Sequence, residues 1–430
     1  MTPISAIKQH VSPSRINVTF SILCFFFPPV LGSGVSFLFN GGGLWSVLLL
    51  ALKRRRFNID RPMTAMTVAI YAYCAASVLA SIVNNSIARD APHLAGLITF
   101  LFFPVSYATW SITEKTTLTR IVVLASAAAC FGALLLAVVQ YHGLGIRAEG
   151  GAGNPIVFAT VACLSMMMCL AGALSGVEKN RALLACATLA GAVAIVYSGS
   201  RIIWLAMLVA GIAVLLINRR KLNNRNAIRL LLIAGAIGIV IAVIGLPIIS
   251  ERAAFLFSDW DALATKGDHT TALGLRAALW QIGLSAFHDM PIFGHGIAAS
   301  RELIKDGFHN QFHMPSTGFS HFHNGFLTAL VEAGLLGAVT LAAVFFVAAR
   351  NAAIVLRTST DAIERFGATM IVVTAITYLI GGLTGILVGH DILDATLMVF
   401  LVSGTYLASG RQQMLPEQQA PAPAPQASRP

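Results

Sequence analysis

The chain has 430 residues, 57% of them hydrophobic and only 11% charged, with a formal net charge of +11. Soluble domains carry roughly 25% charged residues, so composition excludes an ordinary soluble enzyme and points to a membrane protein. The basic excess would suit a nucleic-acid ligand, but the placement of the charges points elsewhere.

Apolar runs near the length needed to cross roughly 30 Å of hydrocarbon recur along the chain. Twelve are expected, at 17–33, 35–52, 63–83, 91–112, 118–141, 154–175, 181–199, 201–217, 228–249, 324–349, 366–388 and 391–408. Pro28 and Pro29 interrupt the first run, and Gly41 to Gly43 the second. With the N-terminus in the cytoplasm, 21 of the 29 Lys and Arg fall on cytoplasmic segments, including the Lys53 to Arg56 cluster and Arg219 to Lys221. That asymmetry orients membrane helices. The basic charge is therefore a topology signal with anionic lipid as its partner, and no nucleic acid is expected. All six cysteines lie inside expected helices, which argues against a disulfide framework or a zinc-thiolate site.

Between the fifth and sixth spans runs HGLGIRAEGGAGNP, with Arg147 on the outer side. Asn154 is a good N-cap and Pro155 a good first helical residue, and a helix start of this kind can also hold an anion through its N–H groups. The tight outer turn YSGSRIIW carries Arg201. Then comes one long outer loop, about 250–322, too long to be a mere connection. Within it, TALGLRAALWQIGLSAF (271–287) reads as an amphipathic helix bearing Arg276, followed by the PIFGHG turn. One lone outer arginine is readily explained by snorkelling. Three from separate segments suit a phosphate or diphosphate at the membrane surface, because guanidinium is permanently charged and presents forked donors.

The loop ends in SHFHNGFLTALVEAG. If Asn324 starts the next helix, His323 sits at the positive end of the helix dipole, which disfavours imidazolium and keeps the ring able to accept a proton. His321, two residues away, would point elsewhere in a helical backbone. Glu332 lies two and a half turns deeper and needs a partner that the sequence does not name. A metal reading rests on His309 and His313, four apart in a stretch of poor helical character, and on the Asp259-Trp260-Asp261 triplet. Both are weak, and no metal is expected. After Arg411 the Pro/Ala/Gln-rich tail (412–430) reads as a disordered cytoplasmic end.

Taken together, HFHNGFLTALVEAGLLG, YSGSRIIWLA, RAEGGAGNP and PIFGHG resemble the O-antigen ligase and polymerase superfamily of bacterial membrane glycosyltransferases. The resemblance implies an all-α polytopic fold of the GT-C type in residues 1–411, about twelve transmembrane helices and one long periplasmic loop with amphipathic helices. It implies transfer of a glycan from undecaprenyl diphosphate to lipid A–core at the periplasmic face of a Gram-negative inner membrane, with both termini cytoplasmic. No cofactor or metal is implied. Arg201, Arg276 and His323 fall on the family's catalytic positions. Arg147, Asn154, His321 and Asn324 are candidate substrate-binding residues beside them. A polymerase of the superfamily would usually have two large outer loops and a glycine eleven positions after Arg276, where this chain has Phe287. A protein O-glycosylating member would usually carry a further soluble domain after the last helix. A twelve-helix transporter or flippase, with Glu332, Asp391 and Asp394 lining a path, is the alternative of another class. Its polar groups should gather at mid-membrane instead of at one face.

Overall fold

In the computed structural model, residues 13–219, 245–315 (apart from 249 and 252) and 318–413 are described. Their regular secondary structure is all helical, with no strand among the described residues. Helix starts follow local capping chemistry. Asp60, Asn180 and Asp361 each accept a backbone N–H from the first turn of the helix they precede. Gly176 and Gly199, both left-handed, end two helices where only glycine turns without strain.

The elements are α1 (Pro13–Leu31), α2 (Gly34–Ala51), α3 (Arg61–Val83), α4 (Ile87–Gly96), α5 (Ile98–Leu101) and α6 (Phe103–Trp110). Then come α7 (Lys115–Val138, ending in a π turn to Gly143), α8 (Pro155–Ser175), α9 (Arg181–Ser198) and α10 (Arg201–Asn218). A helical stretch α11 covers 253–266. The rest are α12 (Ala272–Asp289), α13 (Ser300–Phe312), α14 (Gly325–Thr358), α15 (Ala362–Gly381) and α16 (Asp391–Ser409).

Nine helices among the described residues are long and apolar enough to cross a membrane. The first expected span is the shorter apolar helix α1. The expected ninth span, 228–249, falls largely outside the described residues, as does most of the C-terminal tail. The fourth, 91–112, is broken into α4, α5 and α6. The breaks fall at Leu97 and Phe102; Pro104, in the first turn of the third piece, has no N–H to continue the ladder, whereas Pro92 is carried inside the first piece. α14 runs to residue 358, nine beyond the expected end.

α16 and α8 form the centre of the bundle, with 94% and 83% of their apolar windows buried, against 28% for α10 at the edge. Small residues permit the close approaches expected when apolar tails surround the protein. Gly367 of α15, for example, lies against the Leu407–Ala408 backbone of α16. A second, smaller core joins the loop helices to the head of α14, through Leu279, Ile282, Phe308, Phe322, Leu327 and Val331. The starts of α8, α10, α14 and α16 and the long loop thus share one end of the bundle.

Candidate active site

Phe322 is fully buried in the smaller core and anchors the loop from inside. The chain around it is not helical, and His323 takes a left-handed φ of 50°. His321 and His323, two apart around the buried Phe322, therefore present their rings together. The centroids are 4.4 Å apart, with Phe319 edge-on to His323 at 5.2 Å. This corrects the expectation that His321 points elsewhere, which assumed a helical backbone. Asn324 caps α14, its side-chain oxygen accepting from the N–H groups of Phe326 and Leu327, both at 3.1 Å. His323 thus stands one residue before the cap, at the positive end of that helix.

Burial, and after it the charge of Arg276, pushes His323 down to about 4. Burial first, then His323 and His390, brings His321 to about 4 as well. Both rings are neutral at pH 7. His323 Nδ1 is buried with no hydrogen-bond partner among the described residues, so Nε2 is the nitrogen left to receive a proton. Ser320 Oγ lies 3.2 Å from His321 Nδ1.

The two histidines line a cavity of about 260 Å³ together with His390, Asn154, Thr160 and Tyr378. His390 was missed in the sequence, although a local signal exists: it immediately precedes α16 as His323 closely precedes α14. Its Nδ1 lies 3.3 Å from Asp391 Oδ1 without hydrogen-bond geometry, and burial lowers its pKa from the usual value.

Arg201, Arg276 and His323 are linked through their electrostatics, although neither arginine lines the cavity. Burial lowers the Arg276 pKa first, the nearby charge of Arg201 lowers it further, and Asp259 opposes both. The turn carrying Arg201 is pinned to the start of α8 by Ser200 Oγ, which donates to Pro155 O at 3.1 Å. Arg147 belongs to the same turn region, where its Nε donates to Ser198 O at 2.8 Å, but it does not line the cavity. Asn154 Oδ1 accepts from Ile156 N at 2.9 Å and Val157 N at 3.2 Å. Those donors are taken by the cap, so the sequence idea of an anion held there by free N–H groups is not supported.

What fixes Arg276 relative to His323 is the turn after α12. Gly334 of α14 has φ 65° and ψ −166°, which interrupts the helix ladder. The carbonyls of Val331 and Glu332 accept from His295 N at 2.8 Å and Gly296 N at 2.9 Å. In return Leu335 N donates to Pro291 O at 2.8 Å. A side chain at Gly294 would lie 2.6 Å from the Glu332 and Gly334 backbone, so only glycine fits that approach. The partner of Glu332 is Ser300, whose Oγ donates to Oε1 at 2.6 Å. Arg89 closes the joint from α4: it pairs with Asp90 at 2.8 Å and donates to His295 O at 2.8 Å.

The histidines weighed as metal ligands separate. The stretch of expected poor helical character is in fact the helix α13, because Ile304 and Phe308 bury one face of it in the smaller core. His309 lies on that helix, while His313 lies beyond its end with a left-handed φ of 52°. Asp259 Oδ2 accepts from Leu273 N at 3.3 Å, in the first turn of the Arg276 helix. Among the described residues, no three His, Cys, Asp or Glu side chains gather as a metal site.

Residues 186–342 match the family described as O-antigen ligase, so the resemblance carried by the sequence motifs holds across the segment from α9 to the upper part of α14. The chain is also 31% identical over 147 residues to an uncharacterized protein of Haemophilus influenzae, an alignment covering 34% of this chain. The chain spans only 36% of that relative's length.

Proposed function

Starting from a chain whose residues 186–342 carry the O-antigen ligase pattern, we propose that this protein is a membrane glycosyltransferase of the ligase branch. It moves O-antigen from undecaprenyl diphosphate to lipid A–core on the periplasmic face of the inner membrane. The observation that carries the reading is the pair His321 and His323 facing each other in one cavity, with the charge of Arg276 reaching His323 and that of Arg201 reaching Arg276.

In this mechanism Arg276 and Arg201 hold the donor diphosphate. An acceptor hydroxyl attacks the anomeric carbon, and the bond from that carbon to the diphosphate oxygen breaks. The hydroxyl proton passes to His323 Nε2, and undecaprenyl diphosphate leaves with its charge against the guanidinium groups. Fixed charges stabilise a developing anion most strongly where water is excluded. One-step displacement inverts the anomeric centre. Arg147, whose Nε donates to the Ser198 carbonyl, shapes the Arg201 turn and shares the diphosphate with the other two.

The test combines purified protein, lipid-linked O-antigen and lipid A–core, with and without excess chelator. The expected product is glycan on the core sugar with inverted configuration, formed equally under chelation. A lengthened lipid-linked chain would assign a polymerase instead. Movement of lipid across the bilayer with no new glycosidic bond would reject transfer altogether.

A further inference from the structure

A second cavity, of about 500 Å³, lies beside the first. It shares Ser320 and Ile386 with the cavity of His321 and His323, so the two are neighbours across a thin wall. Its size falls in the range of small-molecule sites, roughly 300–1,000 Å³. Residues 95–100, where the fourth expected span breaks, form one side of it. Irregular backbone at membrane depth persists only where it is buried in protein or borders a water-filled space.

The chemistry differs from that of the first cavity. Asp391, Asp394 and Glu332 face it, with Asn40, His93 and the Tyr73 ring, whereas the first cavity is lined by three histidines and no carboxyl group; no Lys or Arg lines either cavity among the described residues. The Asp391 side chain is 55% exposed, with Ser36 Oγ at 3.5 Å. Tyr73 packs edge-on against Phe100, giving an aromatic wall. Carboxyl and amide groups beside an aromatic ring can exchange hydrogen bonds with clustered hydroxyls while the ring covers an apolar sugar face. A diphosphate meets no cation here, and a carboxylate disfavours it.

We propose that this cavity is the saccharide subsite for the acceptor, taking a phosphate-free sugar through Asp391, Asn40 and Glu332 and turning the diphosphate away. The proposal rests on the transferase reading above and adds how the two substrates are sorted. Arg276, whose charge reaches His323, takes the phosphates, and the carboxyl groups of the second cavity collect the hydroxyls. The acceptor hydroxyl then reaches His323 past Ser320, the histidine-loop residue that the two cavities share.

The experiment uses the full chain in nanodiscs and a delipidated, dephosphorylated core oligosaccharide as probe, with binding followed by calorimetry. Asp391→Asn removes the exposed charge with little change of shape, and Ala95→Trp fills the cavity from an exposed position. Each should weaken saccharide binding about tenfold or more, the loss expected from one hydrogen bond to a charged group. Inorganic pyrophosphate should not displace the saccharide. Unchanged saccharide affinity in both variants, or competition by pyrophosphate, overturns the assignment. The two readings fail separately. Product formation with unaltered acceptor KM in both variants removes the subsite and leaves transfer standing. Binding that depends on Asp391, without any glycosidic product, keeps the sugar site and removes transfer.

Discussion

His321 and His323 hold their rings 4.4 Å apart, tilted by 46°, on a loop where Phe322 between them is completely buried. The buried phenylalanine and the left-handed backbone at His323 create the pair, so the histidines can be separated by function without dismantling the loop. His323→Ala should lower turnover roughly 10²–10⁴-fold, the usual contribution of a positioned base, and leave donor KM nearly unchanged. His321→Ala should cost less. Steady-state kinetics with purified variants checks the order; equal losses would argue that the two rings act as one unit.

The pH response follows from the same pair. A histidine with its pKa pushed down to about 4 is neutral above that value and gains its proton below it. In the free enzyme, kcat/KM should therefore stay level from neutral pH downward and fall only near pH 4. Bound diphosphate brings negative charge that offsets Arg276 and favours imidazolium, so the break in kcat should lie at higher pH. Profiles of the two parameters over pH 3.5–8, a window of about the reach of histidine titration, provide the comparison. A shared break near 6.5, the ordinary histidine value, would contradict the burial argument.

Arg276 acts on His323 through its charge, and replacing it reports on both substrates. Arg276→Lys keeps the positive charge but loses the planar fork, so donor KM should rise while the pH break stays in place. Arg276→Gln should raise donor KM further and also move the kcat/KM break upward, because the imidazolium no longer faces a cation. A break that does not move would place Arg276 outside the electrostatic reach of His323.

Gly334 adopts φ 65°, and an added side chain would run into the Ile292 carbonyl. Gly334→Ala should destabilise the loop core by at least about 1–3 kcal/mol, the cost of a strained backbone. It should also reduce transfer by misplacing Arg276 against His323. Thermal unfolding in detergent, alongside activity at low temperature, separates the two effects. Retained stability with lost activity would show that the joint serves geometry more than folding.

Glu332→Gln keeps the shape and an oxygen that can accept from Ser300, whereas Glu332→Leu leaves the serine hydroxyl without its acceptor. Leaving a buried polar group unsatisfied costs about 1–3 kcal/mol. The leucine variant should therefore melt lower than the glutamine variant by that order, as read from the same unfolding curves.

Features set within three or four residues were legible in the sequence. Asn154 with Pro155, and Asn324 before a long apolar run, announce their helices because a cap is made by the side chain at that very position. Arg201, Arg276 and His323 stood out because charged or titratable residues at helix ends need a reason. The partner of Glu332 was not legible, since Ser300 reaches it only through the pairing of a distant turn with a broken helix. His390 gains meaning only when α16 packs beside the histidine loop. The second break of the fourth expected span was signalled by Pro104, but an apolar count over the window averages such an interruption away.

The exchange of backbone hydrogen bonds between residues 291–296 and the α14 ladder has a mechanical consequence. The base and the cation that charges its surroundings ride on one welded platform, and because Leu335 and Leu336 donate to Pro291 and Ile292, the shaft of α14 below Gly334 is tied to it as well. A wide glycan entering the crevice therefore cannot be admitted by swinging the arginine helix outward alone. Room has to come from the opposite wall, and the chemistry keeps its spacing throughout.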